Sequence, residues 1–436
     1  MERDSERAQA VFEALDGAFP GDGIVVAVAA VGSGSGSAFA VTEGLPEDAR
    51  FEIGSITKTM TAALLASLVG DGVLALDDEI GRWLDAGPNE NITLEQLATH
   101  TSGLPRLAPN QPTGDANPYR DFTAERAEEG LRAATRTPDA GHLYSNFGYQ
   151  LLGLVLERAS GQRYQDLLAE RLLGPLGMTR SGVGGAGGGT RLTGHANGEP
   201  AGHWDFALPG PGAVEATIGD LACYLAACLA PPDGPLGTAI RLCQQPRVRI
   251  DGQPAFGLAW IIIDGRLFHN GGTGGFSASM TIDQAAGHAL AALVNTHGGS
   301  APLLDAIVMA AVKGDDPRHI RPRDTGMTAG PEWDERARAL ARALLDGDYA
   351  GVRQMLRPES QPKVTAERLG QMWQFALGRI GDPGPVSVSC RSQPRGVAAL
   401  ITFTGSKNPL SLLVRFTVSG QIAMLRVIAP DEALPW

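Results

Sequence analysis

The stretch FEIGSITKTMTAALLASLVGDG (51–72) carries the pattern from which the fold of this chain can be worked out. Its apolar residues recur at the spacing of one helical face: Ile56, Met60, Leu64 and Leu68. Two glycines end the pattern, which therefore predicts a helix over residues 55–69. Ser55 and Lys58 stand at the start of this helix, where the chain is about to enter an apolar core.

The pair formed by Ser55 and Lys58 has two interpretations. Residues i and i+3 of a helix share a face, and the unpaired N–H groups of the first turn favour a serine that passes through an oxyanion. Burial lowers the pKa of a lysine, so a neutral amine beside the hydroxyl can act as a general base. The alternative is a capping serine with a lysine whose stem lies along apolar surface.

A second candidate element is HLYSNFGY (142–149), which precedes a predicted helix over residues 145–161. In an extended segment, residues i and i+2 point the same way, so Tyr144 and Asn146 can face one pocket. Tyr144 would then move a proton, and Asn146 would donate to Lys58 or to substrate. An ordinary helix cap at Asn146 or Ser145 is the alternative.

A third candidate element is LFHNGGTGGFSAS (267–279). His269 ends a strand-like run, and the glycines after it let a substrate backbone lie against the strand edge. We expect the backbone N–H of Gly272, next to Gly271, to pair with that of Ser55 and bind an oxyanion. A turn histidine without a role is the alternative.

Taken together, the three elements read S-x-x-K, Y-x-N and H-x-G, in this order and at element ends. They resemble the serine β-lactamase and penicillin-binding protein superfamily. Segments 51–80 and 92–105 (ITLEQLATHTSGLP) are similar to its class C β-lactamase, D-aminopeptidase and family VIII carboxylesterase branch. The resemblance covers residues 20–313.

This resemblance implies roles for four side chains. Ser55 would be the nucleophile and Lys58 its base partner. Tyr144 would be the phenol of the Y-x-N element, and His269 stands where the family has the lysine of K-T-G. The histidine variant is common in the peptidase and esterase members, so a dedicated β-lactamase is less favoured.

The order of elements predicts an α/β (α+β) fold. A hairpin over residues 23–41 is followed by several helices, one of them over residues 164–178, and a closing helix covers 301–312. Successive antiparallel strands are predicted at 257–263, 267–272, 276–283 and 288–296. We expect a β-lactamase-like antiparallel sheet flanked by helices, with an all-helical subdomain.

The chain is long enough for two domains. Residues 1–313 are predicted to form the serine acyl-transfer domain, and the polar, proline-containing stretch 314–331 a linker. Residues 332–436 predict helices and then four strands, a small α+β domain that resembles the nuclear transport factor 2-like superfamily. We expect this domain to be a lid, a dimer module or a positioning module.

Composition excludes several classes of function. The net charge of -12 over 436 residues argues against a nucleic-acid partner. The sequence shows no G-x-S-x-G elbow, no H-E-x-x-H and no P-loop, and no Cys/His cluster has metal spacing. The other histidines, seven in all, are interpreted as structural or surface residues; they include His100 and His297. With no apparent signal peptide or membrane span, a cytoplasmic protein without a membrane partner is expected.

These observations predict a serine hydrolase that acts on an ester or amide, peptide-like substrate through a covalent acyl-enzyme on Ser55, without metal or cofactor. One alternative is a transacylase or peptide cyclase of natural-product biosynthesis that passes the acyl group to an amine acceptor. Another is a catalytically inactive binding homologue. The expected partner is a small-molecule or peptide-like acyl substrate, and an oligomer is left open.

Overall fold

The structure is a computed structural model that describes residues 1–19, 21–112, 117–138, 141–186, 188–196, 198–250, 254–297, 301–320, 331–358, 360–362, 364–393, 396–405, 410–417 and 420–428. The chain divides into two compact units, Met1–Ile320 and Arg321–Trp436. Most of the predicted linker, 314–331, lies outside the described residues, since these omit 321–330.

The first unit contains most of the described helices. They are α1 (Glu2–Ala18), α2 (Thr57–Gly70), α3 (Leu94–Ala98), α4 (Ala124–Ala133), α5 (Asn146–Ser160), α6 (Tyr164–Leu168), α7 (Ile218–Leu229), α8 (Pro235–Gln244) and α9 (Ala301–Lys313). Capping explains where several of these helices begin. Thr93 forms a capping box with Gln96 at α3, and the hydroxyl of Ser145 accepts from the N–H of Gly148 at α5.

Seven of the fourteen described strands of the first unit form one large sheet, and the other seven form two small sheets. The fourteen strands are β1 (Val26–Gly32), β2 (Gly36–Val41), β3 (Ala49–Glu52), β4 (Gly182–Val183), β5 (Thr190–Arg191), β6 (Gly194–Ala196), β7 (Glu199–Ala201), β8 (Val214–Ala216), β9 (Ala255–Phe256), β10 (Ile261–Ile263), β11 (Arg266–Gly272), β12 (Ser277–Asp283), β13 (His288–Val294) and β14 (Thr296–His297). The seven-stranded sheet has the order β2-β1-β13-β12-β11-β10-β9, and every neighbouring pair is antiparallel. The N-terminal hairpin therefore pairs with the last strands of the unit, which confirms the predicted antiparallel sheet flanked by helices.

Two predicted elements are shorter in the structure. The strand predicted over 257–263 begins only at Ile261, because Ala259 has a left-handed backbone with φ 66° and the N–H of Gly257 bonds to the carbonyl of Trp260. The helix predicted over 164–178 ends at Leu168 and continues as a single π turn. A turn that contains glycines and a proline follows, so the regular α-helical pattern cannot continue there.

Helix α2 lies in the core of the first unit, which explains why its sequence is apolar on nearly every side. It packs against α8 and α5, and even its polar residues Thr57, Thr59 and Thr61 are buried. Their hydroxyl groups are satisfied locally or across the core; that of Thr61, for example, donates to the carbonyl of Gly210 at 2.8 Å. The N-terminus of α2 is thereby held in a fixed position at the edge of the sheet.

The second unit has its own apolar core. Its described elements are α10 (Pro331–Leu345), α11 (Tyr349–Met355), α12 (Ala366–Ile380), β15 (Pro383–Gln393), β16 (Gly396–Gly405), β17 (Leu410–Phe416) and β18 (Ile422–Ile428). The four strands form an antiparallel sheet in sequential order. The extra C-terminal α+β region that the sequence predicted is therefore present.

In the described part of the chain, no helix combines the length and the apolar character that a membrane crossing needs.

Candidate active site

Ser55 lies at the point where β3 leads into α2. It belongs to one 3-10 turn, Gly54–Ile56, that directly precedes the α-helix, so the predicted helix start is in fact a tighter turn. The Nζ atom of Lys58 lies 2.9 Å from the Oγ atom of Ser55 and donates to the carbonyl of Pro211 at 2.7 Å. The structure thus brings together the hydroxyl and the amine that the sequence singled out.

Lys58 is fully buried, with 0% of its surface exposed. Burial, assisted by the positive charge of Arg106, holds the pKa of the Lys58 amine well below its ordinary value. A carboxylate partner, which would favour the charged form, is not among the bonded neighbours that the structure describes. The amine is therefore disposed to be neutral, the state in which it can accept a proton from Ser55.

Tyr144 completes this group from the loop before α5. Its hydroxyl donates to the Oγ atom of Ser55 at 2.7 Å, and its ring centroid lies 4.9 Å from the Nζ atom of Lys58. Burial raises the pKa of the phenol to about 12. The environment thus separates the two pKa values, so that the amine loses its proton readily and the phenol keeps one.

Strand β11 approaches the Ser55 turn so closely that two glycines are required. A Cβ atom on Gly271 would lie 1.9 Å from the carbonyl oxygen of Ile53, and one on Gly54, where φ is 49°, would lie 2.6 Å from the N atom of Gly272. The absent side chain of Gly271 therefore makes room for protein backbone, whereas the sequence predicted room for substrate. This contact places the backbone of Gly272 beside Ser55.

His269 lies on β11 and lines the same site. Its Nδ1 atom bonds to the carbonyl of Asn270 at 2.6 Å, which leaves the Nε2 atom as an acceptor. Burial and the neighbouring Lys58 lower the pKa of His269 to about 3. The imidazole is therefore neutral at ordinary pH and brings no positive charge to the site.

Asn146, the first residue of α5, has a different partner from the one predicted. Its amide donates to the hydroxyl of Tyr119 at 2.7 Å, while the bonds of Lys58 go to Ser55 and Pro211. Of the two predicted partners of the Asn146 amide, Lys58 is therefore wrong, and donation to substrate stays a prediction. Its amide oxygen is buried and has no hydrogen-bond partner among the described residues.

A cavity of about 380 Å³ opens beside Ser55, and we call it the Ser55 cavity. The described residues that line it are Gly54, Ser55, Arg106, Tyr119, Tyr144, Asn146, Trp204, Phe206, Pro211, Gly212, Ile261, His269, Asn270, Gly271, Gly272, Thr273, His297 and Ala301. One wall is aromatic, because the ring of Tyr119 stacks on that of Phe206 at 4.6 Å and lies 5.3 Å from that of Trp204.

All seven predicted site residues thus lie around one position: Ser55, Lys58, Tyr144, Asn146, His269, Gly271 and Gly272. Sequence reasoning missed several lining residues, because Tyr119, Trp204 and Phe206 lie in segments without a motif. Arg106 could have been found from the sequence, because it directly follows the segment 92–105 that carried part of the resemblance. His297, interpreted from the sequence as structural or surface, lines the cavity next to Gly272.

Solved structures share this fold. A class C beta-lactamase superposes with a TM-score of 0.58 and 20% sequence identity, covering 67% of this chain and 92% of that chain. A class C beta lactamase from Rhodobacter sphaeroides also gives a TM-score of 0.58 at 20% identity, covering 67% of this chain and 95% of that one. At this level of identity, the likeness concerns the fold.

Curated relatives match over shorter stretches. A penicillin-binding protein of Bacillus subtilis (strain 168) is 33% identical over 143 residues, which are 32% of this chain and 32% of the relative. The D-alanyl-D-alanine-carboxypeptidase/endopeptidase AmpH of Escherichia coli (strain K12) is 37% identical over 144 residues, which are 30% of this chain and 36% of the relative. The chain therefore matches about a third of the length of these relatives.

The family model described as Beta-lactamase matches residues 9–313, which include the S-x-x-K, Y-x-N and H-x-G elements and every residue of the Ser55 cavity. The chain belongs to the beta-lactamase family of serine hydrolases.

Proposed function

We propose that this chain hydrolyses an ester or amide through a covalent acyl-enzyme on Ser55. The observation that carries the proposal is the position of the Ser55 Oγ atom, within hydrogen-bond distance of both the Lys58 amine and the Tyr144 phenol. A hydroxyl becomes a nucleophile when an adjacent base takes its proton. Of these two neighbours, Lys58 is the base, because its pKa is lowered while that of Tyr144 is raised.

The reaction then has two halves. In the first, the proton of Ser55 passes to Lys58, the Oγ atom bonds to the carbonyl carbon, and the leaving group departs with a proton delivered through Tyr144. In the second, water gives a proton to Lys58 and bonds to the acyl carbon, the bond from that carbon to Oγ breaks, and the proton passes back to Ser55 as the acid leaves. The N–H groups of Ser55 and Gly272 hold the oxyanion in both halves, and each such donor typically contributes about 10²–10³-fold in rate.

The residues that line the cavity favour a substrate with an apolar acyl group and a carboxylate. Its aromatic wall suits an apolar acyl group. Arg106 is the lining side chain with a permanent charge, and it forms no ion pair with a carboxylate of the described residues. Its guanidinium lies 5.2 Å from the ring centroid of Tyr144, so a carboxylate close to the scissile carbonyl would meet this charge.

A matched pair of esters tests this substrate class. p-Nitrophenyl glutarate carries a carboxylate, and p-nitrophenyl glutaramate replaces it with a neutral amide of the same shape. We expect a higher kcat/KM for the glutarate, and Arg106→Gln should remove this preference. Arg126→Gln, which changes an exposed arginine outside the cavity lining, is the control. An equal preference for the glutarate in the wild type, Arg106→Gln and Arg126→Gln would contradict the role of Arg106 in binding a carboxylate.

A second candidate function is acyl transfer to an amine, and the observation that favours it is His297. His297 is exposed at its outer side, but desolvation of its ring lowers the pKa of this imidazole, so the neutral form can accept the proton of an attacking amine. Product analysis with and without an added amine separates the two functions. An amide product supports transfer, and acid alone in the presence of amine contradicts it.

The experiment that tests the acyl-enzyme is intact mass spectrometry after incubation with a panel of esters, thioesters and β-lactams. We expect an adduct of acyl mass on the wild-type protein and none on Ser55→Ala. The absence of any adduct, together with no reaction of Ser55 with a fluorophosphonate, would instead support a catalytically inactive binding homologue.

The proposal extends to domain organisation. Residues 1–313 would be the catalytic domain, and the C-terminal unit would be a nuclear transport factor 2-like module that positions substrate or partner. Three helices followed by a four-stranded antiparallel sheet support this assignment. A chain truncated after residue 320 tests this assignment. We expect it to be labelled at Ser55 like the full chain but to prefer different substrates.

A further inference from the structure

His100 combines two features that disfavour folding. Its backbone has φ 58°, a left-handed conformation that is uncommon for residues other than glycine. Its side chain is buried, with 3% exposed, and its Nε2 atom has no hydrogen-bond partner among the described residues. Each feature costs free energy. Strain and an unpaired polar atom at one buried position point to a functional constraint.

Three contacts of His100 converge on residues 143–145, besides ring contacts with His142 and Tyr149. Its carbonyl accepts from the N–H of Leu143 at 2.8 Å, and its Nδ1 atom accepts from the N–H of Ser145 at 3.1 Å. Its ring lies 4.5 Å from the ring of Tyr144, measured between centroids. His100 therefore holds the residue before Tyr144, the residue after it, and the phenol ring itself.

Tyr144 is the residue for which such restraint has a chemical consequence. Its hydroxyl must stay within hydrogen-bond distance of the Ser55 Oγ atom, and the observed separation is 2.7 Å. A displacement of about 1 Å between reacting groups can cost about 10²-fold in rate. We propose that His100 is a positioning residue that holds the Tyr144 phenol on Ser55. The effect on rate rests on the proposed function of Ser55, whereas the effect on Tyr144 does not.

The imidazole ring suits this role only when it is neutral. Its Nδ1 atom accepts a hydrogen bond from Ser145, so this nitrogen carries no proton. Burial keeps the pKa of His100 well below its ordinary value. His100 is not among the residues that line the Ser55 cavity, so it acts through Tyr144 and not on substrate.

Two substitutions each keep one contact of His100 and remove another. His100→Asn keeps a short acceptor for the Ser145 N–H, and asparagine tolerates the left-handed backbone. His100→Phe keeps an aromatic ring beside Tyr144 and loses the acceptor. Each is made in the wild type and in Tyr144→Phe, and hydrolysis of p-nitrophenyl butyrate is normalised to the fraction of folded protein.

We expect each His100 substitution to lower kcat by about 10- to 100-fold with little change in KM, the range that misplacement of a reacting group gives. In the Tyr144→Phe protein, the same substitutions should have almost no further effect, because the hydroxyl that His100 positions is gone. Equal losses in both backgrounds, or a loss of melting temperature with unchanged kcat, would overturn the proposal.

A second readout needs no turnover. The chain has six tyrosines, so labelling with ¹³Cζ-tyrosine gives few NMR signals, and the signal of Tyr144 is the one lost in Tyr144→Phe. We expect both His100 substitutions to shift that signal and to lower the pKa of the phenol, which water would then reach. An unmoved Tyr144 signal overturns the positioning role, even if the proposed hydrolase activity is wrong.

Discussion

The two compact units bury different kinds of side chain. The buried residues of the first unit include polar and ionisable groups such as Lys58, His100 and His269, and these three lie around Ser55. In the described part of the second unit, no polar or charged residue is buried. Burial of an ionisable group is costly and does not help a core to form. We therefore expect the first unit to give up some stability for the proposed chemistry at Ser55, and the second unit to depend on apolar packing.

The largest effect is expected for Lys58→Met, which replaces the buried amine with an apolar chain of similar length. We expect kcat/KM for ester hydrolysis to fall by at least about 10³-fold, because the base is lost. The melting temperature should stay the same or rise, since the buried polar group is removed. Paired kinetics and calorimetry check this trade-off. A large loss of stability with retained activity would contradict the view that buried Lys58 serves activity at the expense of stability.

A core substitution in the second unit should have the opposite effects: lower stability and unchanged reactivity of Ser55. Phe403 is fully buried and lies edge-on to Trp373, with ring centroids 5.0 Å apart. Phe403→Ala should lower the free energy of unfolding of this unit by about 3–5 kcal/mol. We expect the rate at which a fluorophosphonate labels Ser55 to be unchanged at temperatures where both units are folded.

Met372→Ala is the control for Phe403→Ala, because Met372 lies on α12 next to Trp373 but is 54% exposed. It should change the free energy of unfolding by less than about 0.5 kcal/mol. A loss of Ser55 labelling in Phe403→Ala, with Met372→Ala unaffected, would show that the second unit contributes to the chemistry.

Arg106→Gln tests the electrostatics of the first unit. The positive charge of Arg106 adds to burial in lowering the pKa of Lys58, so removing this charge raises that pKa. The neutral amine then forms only at higher pH, and the acidic limb of the pH profile of kcat/KM should move upward. We expect a shift of less than about one pH unit, since Arg106 is exposed and its field is screened. An unmoved or lowered limb would contradict the assignment of Lys58 as the base.

The smallest effect concerns Asp305 of α9, which accepts from the Asn270 amide at 2.6 Å behind strand β11. Burial raises the pKa of this carboxyl to about 7 from an ordinary value of 3.8. The folded state thus favours the protonated acid, and this contribution to stability is lost as the pH rises through about 7. Asp305→Asn does not titrate, so its melting temperature relative to wild type should increase between about pH 4 and pH 7 and stay level at higher pH.

Asp233→Asn, at an exposed aspartate, is the control for Asp305→Asn. Its melting temperature relative to wild type should be nearly independent of pH over the same range. A difference for Asp305→Asn that is constant or decreases with pH would contradict the raised pKa.

The strand patterns were sufficient to predict the antiparallel sheet, and helical spacing was sufficient to pair Ser55 with Lys58. Tyr144 was placed beside them through the family resemblance that the three motifs carry together. Contacts between distant segments that no motif marks could not be predicted. Asn146 bonds to Tyr119, and the space beside Gly271 is filled by the Ile53 carbonyl, because both depend on how loops far apart in sequence meet. The strand predicted from Gly257 failed for a related reason, since a left-handed backbone at Ala259 leaves no local signal.

The central claim is that Lys58 is an uncharged amine beside Ser55 at neutral pH. The chain has four lysines, so ¹⁵N-lysine labelling gives a spectrum in which the Lys58 signal is the one missing in Lys58→Met. A pH titration of that signal measures the claim directly. We expect the Nζ atom of Lys58 to titrate well below the ordinary lysine range of about 10.4 and to be neutral at pH 7. A Lys58 that stays charged up to its ordinary pKa would contradict the account.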